Sequence, residues 1–162
     1  MEKINVLEIV KEYKKSHDLS EIYQKIEIKE YVPFLYKKGA IDAIIDTFLQ
    51  TEYGLYVYDA LDKHLAFVLG FITLYTNLDY EDEEGYAAYD ALVESHLLDH
   101  IIDKVGYDYS DFVNFFEETL KNKIETNNSI PNVLNGFLTG LSAAVSNLDA
   151  KKLGTVLENL NS

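Results

Sequence analysis

The chain has 162 residues, with 28 carboxylates against 14 cationic side chains, a net charge of −14, and apolar residues make up 48% of it. That apolar content is too high for a disordered acidic tail and suits one folded domain. Every cationic side chain is lysine, and there is no arginine, tryptophan or cysteine, which excludes disulfide scaffolds, thiolate zinc sites, cysteine nucleophiles and arginine fingers. So negative a chain is also a poor direct ligand for nucleic acid, whose phosphates bind through cations.

Charges interrupt every apolar run in Met1–Lys15, unlike a signal peptide. The longest apolar stretch, Leu65–Ile72, is far short of the roughly twenty residues of a bilayer span. The expectation is a soluble intracellular protein.

Helical periodicity runs through the chain. Ile4, Leu7 and Val10 trace the face of a first helix ending near Ser16-His17-Asp18. Ile26–Val32 alternates like a strand but has no obvious partner, and reads as an extended lead-in to a helix opened by Pro33. That helix carries Phe34, Leu35, Ile41, Ile44, Ile45, Phe48 and Leu49, with an interruption expected at Gly39. Asp59 caps the next, which buries Leu61, Leu65, Val68, Leu69 and Ile72 and ends near Asn77. Helical stretches over 86–104, broken near Ser95, follow the acidic loop 79–85. Ser110 caps a helix through Phe112, Phe115, Phe116 and Leu120 to about Thr126; Ser129-Ile-Pro131 opens another; Asp149 starts a last short one with Leu153, Val156, Leu157 and Leu160. With no convincing hairpin signal, the reading is all-α: one compact domain over 1–162, about seven helices, a two-helix carboxy-terminal part and a hinge at 121–129.

The charge is unevenly placed. Residues 41–120 carry eighteen carboxylates and two lysines, net −16, while 1–40 and 121–162 are each +1. Charge runs usually coat solvated faces, but a block this negative can also steer a basic partner.

Catalytic motifs are sparse. His96 and His100 lie four apart, a spacing that can bind zinc, with Asp99 or Asp103 as a further ligand. The sequence His96-Leu-Leu-Asp-His100 nevertheless lacks the glutamate of H-E-x-x-H, and two ordinary surface histidines is the preferred reading. The loop Asp79–Gly85 alternates carboxylates as a calcium loop does, but Glu84 stands where the turn glycine belongs. No phosphate loop, G-x-G-x-x-G or G-x-S-x-G occurs. No cofactor is implied and an enzyme is not expected.

Thirteen tyrosines remain to be explained. Tyrosine can close the rim of a core with its hydroxyl in water, or give large rigid contact area at an interface. Tyr75, Tyr80, Tyr86 and Tyr89 flank Glu81, Asp82, Glu83 and Glu84, and together these eight are the candidate partner-binding surface for a basic protein.

The segments Tyr31-Val-Pro-Phe-Leu-Tyr-Lys-Lys38, Tyr75-Thr-Asn-Leu-Asp79, Tyr89-Asp-Ala-Leu-Val-Glu-Ser95 and Ile124-Glu-Thr-Asn-Asn-Ser-Ile130, in that order, resemble small acidic helical proteins encoded by phages and prophages of low-GC Gram-positive bacteria. The resemblance spans roughly 28–140 and carries no catalytic motif. It implies a viral origin and, because some such proteins lie among virion and assembly genes, a structural role in the host cytoplasm or the virion. The leading expectation is therefore a non-enzymatic phage structural or assembly protein: an adaptor, virion accessory or assembly chaperone. It would act through protein contacts with other phage proteins or as a homo-oligomer. The alternative is a phage-encoded inhibitor of a host nucleic-acid-binding or defence protein that uses its acidic centre as a DNA mimic. A metal hydrolase centred on His96 and His100 is a distant third.

Overall fold

The computed structural model describes residues 3–16, 19–81 and 84–146. Among them the elements run β1 (Ile4–Asn5), α1 (Val6–Ser16), α2 (Leu19–Lys25), α3 (Phe34–Phe48), β2 (Gln50–Glu52), β3 (Leu55–Val57), α4 (Ala60–Tyr75), β4 (Leu78–Asp79), α5 (Gly85–Glu94), α6 (Leu97–Val105), α7 (Tyr107–Asn127) and α8 (Ile130–Ser146). Eight helices with only short strands make this a mostly α fold, as the periodicity predicts. The last predicted helix, from Asp149, lies outside the described residues. No helix among the described residues is long and apolar enough to cross a membrane.

Internal contacts divide the chain into two compact units, Met1–Gln50 with Tyr58–Asn122, and Thr51–Val57 with Lys123–Ser162. The boundary after Asn122 falls within α7, which is helical through the stretch singled out as a hinge as far as Asn127.

The core of the first unit follows the apolar stripes. Pro33 occupies the N-cap of α3, where its missing N–H costs nothing. Lys37, Ile41, Ile44, Ile45 and Phe48 form the buried face of that helix, and Gly39 does not interrupt it, since one glycine costs only about 1 kcal/mol in a helix anchored by such a face. The Asp59 carboxylate accepts hydrogen bonds from the Leu61 and Asp62 amides at 2.7 and 3.2 Å, capping α4 as expected. Midway along α4, a Cβ on Gly70 would lie 2.3 Å from Ile44 Cγ1, so the closeness of α3 to α4 depends on the absent side chain. Phe71, Tyr75, Phe112 and Phe116 are all essentially fully buried; the first three pack ring against ring, with Tyr75 edge-on to Phe112 at 5.7 Å, and Phe116 packs on Phe67 at 4.8 Å.

Several features differ from expectation. Leu61, expected on the buried stripe of α4, is 78% exposed, and Ile4, expected on the first helix, lies in β1, paired parallel with β4. The segment read as a lead-in has a partner after all: Ile28 bridges Thr76, and the Lys29 amide donates to the Tyr75 carbonyl at 2.8 Å. Helix α7 begins at Tyr107, three residues before Ser110, because Gly106 (φ +59°) turns the chain directly out of α6. A hairpin, β2 to β3, exists where none was expected, turning on Tyr53 (φ +51°) and Gly54 (φ +81°). A two-residue turn with both φ values positive is the type that matches strand twist, but tyrosine is not among the residues that usually signal it.

In the second unit, Asn128 clamps that hairpin. Its side chain accepts from the Tyr56 amide at 2.7 Å and donates to the Tyr56 carbonyl at 3.0 Å. Gly54 and Gly136 then approach so closely that a Cβ on either would lie 3.8 Å from the other's Cα.

Candidate protein-interaction surface

Two charged residues sit on stripes that are otherwise apolar. Lys37 begins the buried face of α3, and Asp108 begins the face of α7 continued by Phe112, Phe116 and Leu120. They are 3% and 6% exposed, and they meet: the Lys37 ammonium forms an ion pair with Asp108 Oδ1. The other carboxylate oxygen accepts from Tyr75 Oη at 2.8 Å and from the Val32 amide at 3.1 Å. Burial alone would raise the Asp108 pKa, but the hydrogen bonds from Lys37, Tyr75 and Val32 and the lysine charge outweigh it and hold the carboxyl below its ordinary value. The Tyr75 phenol is driven well above its ordinary range by burial and by the adjacent carboxylate, so it stays a donor. Among the described residues no buried side-chain nitrogen or oxygen lacks a partner. With its ammonium and both carboxylate oxygens committed, this network is a peg joining α3, α4, α7 and the segment before α3.

Several large apolar side chains near the peg in sequence are exposed. Tyr31, Phe34, Leu35 and Tyr36 are each between 60% and 76% exposed, and Tyr107, adjacent to Asp108, is 81% exposed. Backbone geometry explains the placement. Pro33 caps α3 with its carbonyl accepting from the Tyr36 and Lys37 amides. Lys37 is then drawn inward to Asp108, which leaves the first turn of the helix facing water. Tyr31 covers the lysine, whose ammonium is 5.2 Å from the ring centroid. Phe34 is braced edge-on against Phe115 at 5.4 Å. Phe34, Leu35 and Tyr36 fan out around the first turn of α3 at about 100° per residue, and exposed aromatic side chains are what protein interfaces use as anchors.

The predicted tyrosine and carboxylate surface is rearranged. Tyr75 is fully buried, which removes it from any docking face; it belongs to the α4 stripe with Val68, Phe71 and Ile72, and its acidic sequence neighbours are a misleading guide. Tyr80 is half-buried, lining a groove of about 400 Å³ with Ile44, Gly70 and Gly85. Tyr89 is half-buried and shares a 3.1 Å hydrogen bond with His64. Glu84 is half-buried and accepts from Asn5 Nδ2 at 3.3 Å, while Glu81 and Tyr86 are exposed. Asp82 and Glu83 lie outside the described residues.

Nor is the −16 block a bare acidic face. Four of its carboxylates pair with lysines of the first forty residues: Asp79 with Lys3, Glu94 with Lys14, Asp108 with Lys37 and Asp42 with Lys38. Three of these pairs form only when distant segments fold together, which a count of charge by segment misses, and Lys38 and Asp42 are one turn apart on α3.

The two histidines are not presented as a helical pair. His96 precedes α6 in a left-handed conformation (φ +56°), with Asp99 3.6 Å away. His100 stacks flat on Tyr23 at 3.7 Å; burial, aided by Lys104 and opposed by Asp103, lowers its pKa. Among the described residues no group of three or more His, Cys, Asp or Glu could hold a metal ion. A cleft of about 380 Å³ between α4 and α7 is walled by Tyr58, Phe67, Tyr109 and Phe116, with Lys63 at its mouth 2.7 Å from Glu117.

Sequence reasoning missed the exposed side chains of Tyr31 to Tyr36 and the peg. The available signal was an ionisable residue at a core position of each of two apolar stripes, one cationic and one anionic. Compared with known proteins, the chain matches no family model, no curated protein and no solved structure.

Proposed function

We propose that this chain is a non-enzymatic interaction protein of phage or prophage origin, serving virion assembly as an adaptor, accessory or chaperone, and that it docks through Tyr31, Phe34, Leu35, Tyr36 and Tyr107. The observation that carries this reading is the run of large exposed apolar side chains at Tyr31, Phe34, Leu35 and Tyr36, next in sequence to the buried Lys37–Asp108 ion pair. Aromatic anchors supply most of the energy at protein interfaces. The resemblance to phage-encoded acidic helical proteins supports the setting. The DNA-mimic alternative rests on the acidic centre, of which four carboxylates are already engaged by the chain's own lysines.

The test is co-sedimentation of the protein with particles or assembly intermediates produced from the genome that encodes it. The Leu35→Glu/Tyr36→Glu variant changes two exposed residues, so it should fold normally and be lost from those particles. A folded variant that still co-sediments, or a wild-type chain absent from every assembly, refutes the proposal.

A further inference from the structure

Helix α8 differs from the rest of the molecule in carrying no charged residue over its seventeen positions. Ile130, Leu134, Phe137 and Leu138 are nonetheless 83%, 55%, 62% and 54% exposed. Their spacing of four, three and one puts them on one stripe. At about 100° per residue, that stripe is turned some 100 to 200° from Gly136, the position against the hairpin. The hairpin therefore leaves it uncovered. Charge separates the two units just as sharply: of the net −14, the unit containing α8 contributes −1 and the other −13.

We propose that the α8 stripe is a self-association face, and that its occupant is α8 of a second copy of this chain. A two-fold interface sets the same patch against itself, so it must be self-complementary. Two copies of a −13 unit repel most where their own faces meet, whereas an uncharged apolar stripe adds no like-charge contact at the seam. A foreign partner selected by charge would find nothing on α8 to read. Seventeen residues give a helix about 25 Å long. One helix-on-helix contact of that length falls short of the roughly 800 Å² per partner of a standard stable interface, so the dimer is weak, with a dissociation constant in or above the micromolar range.

The experiment is sedimentation equilibrium of the full chain from about 1 µM to about 1 mM, a range that spans such affinities. The wild type should shift from monomer toward dimer. Leu134→Glu/Leu138→Glu, which alters only exposed positions, should keep the wild-type circular dichroism and weaken association at least about tenfold, the effect of losing roughly 1.4 kcal/mol. Because the chain has no cysteine, Leu138→Cys offers a second readout: a bifunctional maleimide should join two copies through α8, whereas Asn114→Cys, exposed on α7, should give no dimer. A wild type that stays monomeric throughout, a dimer indifferent to the glutamates, or equal crosslinking at both cysteines overturns the proposal.

Discussion

Replacing Lys37 by methionine tests the central peg. The methionine fills the space of the lysine stem but removes the cation, leaving the Asp108 carboxylate 6% exposed with only Tyr75 and Val32 as donors. Breaking a buried pair from one side strands the remaining charge and costs about 3–5 kcal/mol, a large part of the 5–15 kcal/mol that holds a domain of this size together. The sign of the pH dependence follows from linkage. In the native chain the Asp108 carboxyl titrates below its ordinary value, so its contribution is complete above the ordinary carboxylate range and disappears as pH falls through the folded value. Methionine at position 37 removes the interaction that favours the ionised form, so the deficit of the variant is largest near neutrality and shrinks in acid. Urea unfolding followed by circular dichroism at a series of pH values measures both effects. Asp108→Asn strands the Lys37 ammonium in the same way, with one amide oxygen in place of two carboxylate oxygens, and should cost about as much as Lys37→Met at neutral pH. A Lys37→Met deficit under about 1 kcal/mol, or one constant from neutral pH to the acid limb, would mean that the pair is not the buried, charge-stabilised contact described.

Gly70→Ala should destabilise the fold by about 1–3 kcal/mol in chemical denaturation despite the better helix propensity of alanine, because its methyl collides with buried Ile44; a neutral or stabilising result would show that Ile44 yields freely. Tyr53→Asn should raise stability by about 1 kcal/mol, since a side chain that is 98% exposed gives up no packing and asparagine tolerates the positive φ. A loss of stability there would show that the tyrosine ring supports the hairpin.

Periodicity is a good guide to where helices form, and a buried stripe tolerates local exceptions such as Gly39, but it misplaces single residues: Leu61, on the α4 stripe, is 78% exposed. It failed where non-local contacts decide. Ile26–Val32 is extended because Thr76 and Asn77 receive its backbone, which no local pattern announces. The hairpin turns on Tyr53 in a left-handed conformation, and asparagine side chains some seventy residues later hold it. Tyr75 shows the reverse error: its place on the α4 stripe already put it inside, but the neighbouring carboxylates suggested surface. Of the six predicted surface residues that are described, Glu81 and Tyr86 are exposed in the fold, while the exposed side chains of Tyr31 to Tyr36 lie in a segment whose own pattern signalled only a helix start.

The distribution of charge connects these observations. Lys3, Lys14 and Lys37 return to carboxylates of the middle of the chain, and one of those pairs, Lys37 with Asp108, is buried next to the segment that carries Tyr31 to Tyr36. The remaining excess of carboxylates keeps that unit strongly negative, which favours cationic partners and opposes contact between copies. An uncharged α8 on the other unit escapes that constraint. Exposed apolar residues thus stand under opposite electrostatic conditions: those in the acidic unit, proposed to take a foreign partner, and those of uncharged α8, proposed to take its own copy. They should therefore respond differently to salt. Added salt screens attraction at the first and weakens a cationic partner, whereas at the second it screens only the repulsion between the acidic units and strengthens self-association. Salt weakening both equally would mean that the second surface also depends on charge attraction, contrary to what the sequence of α8 allows.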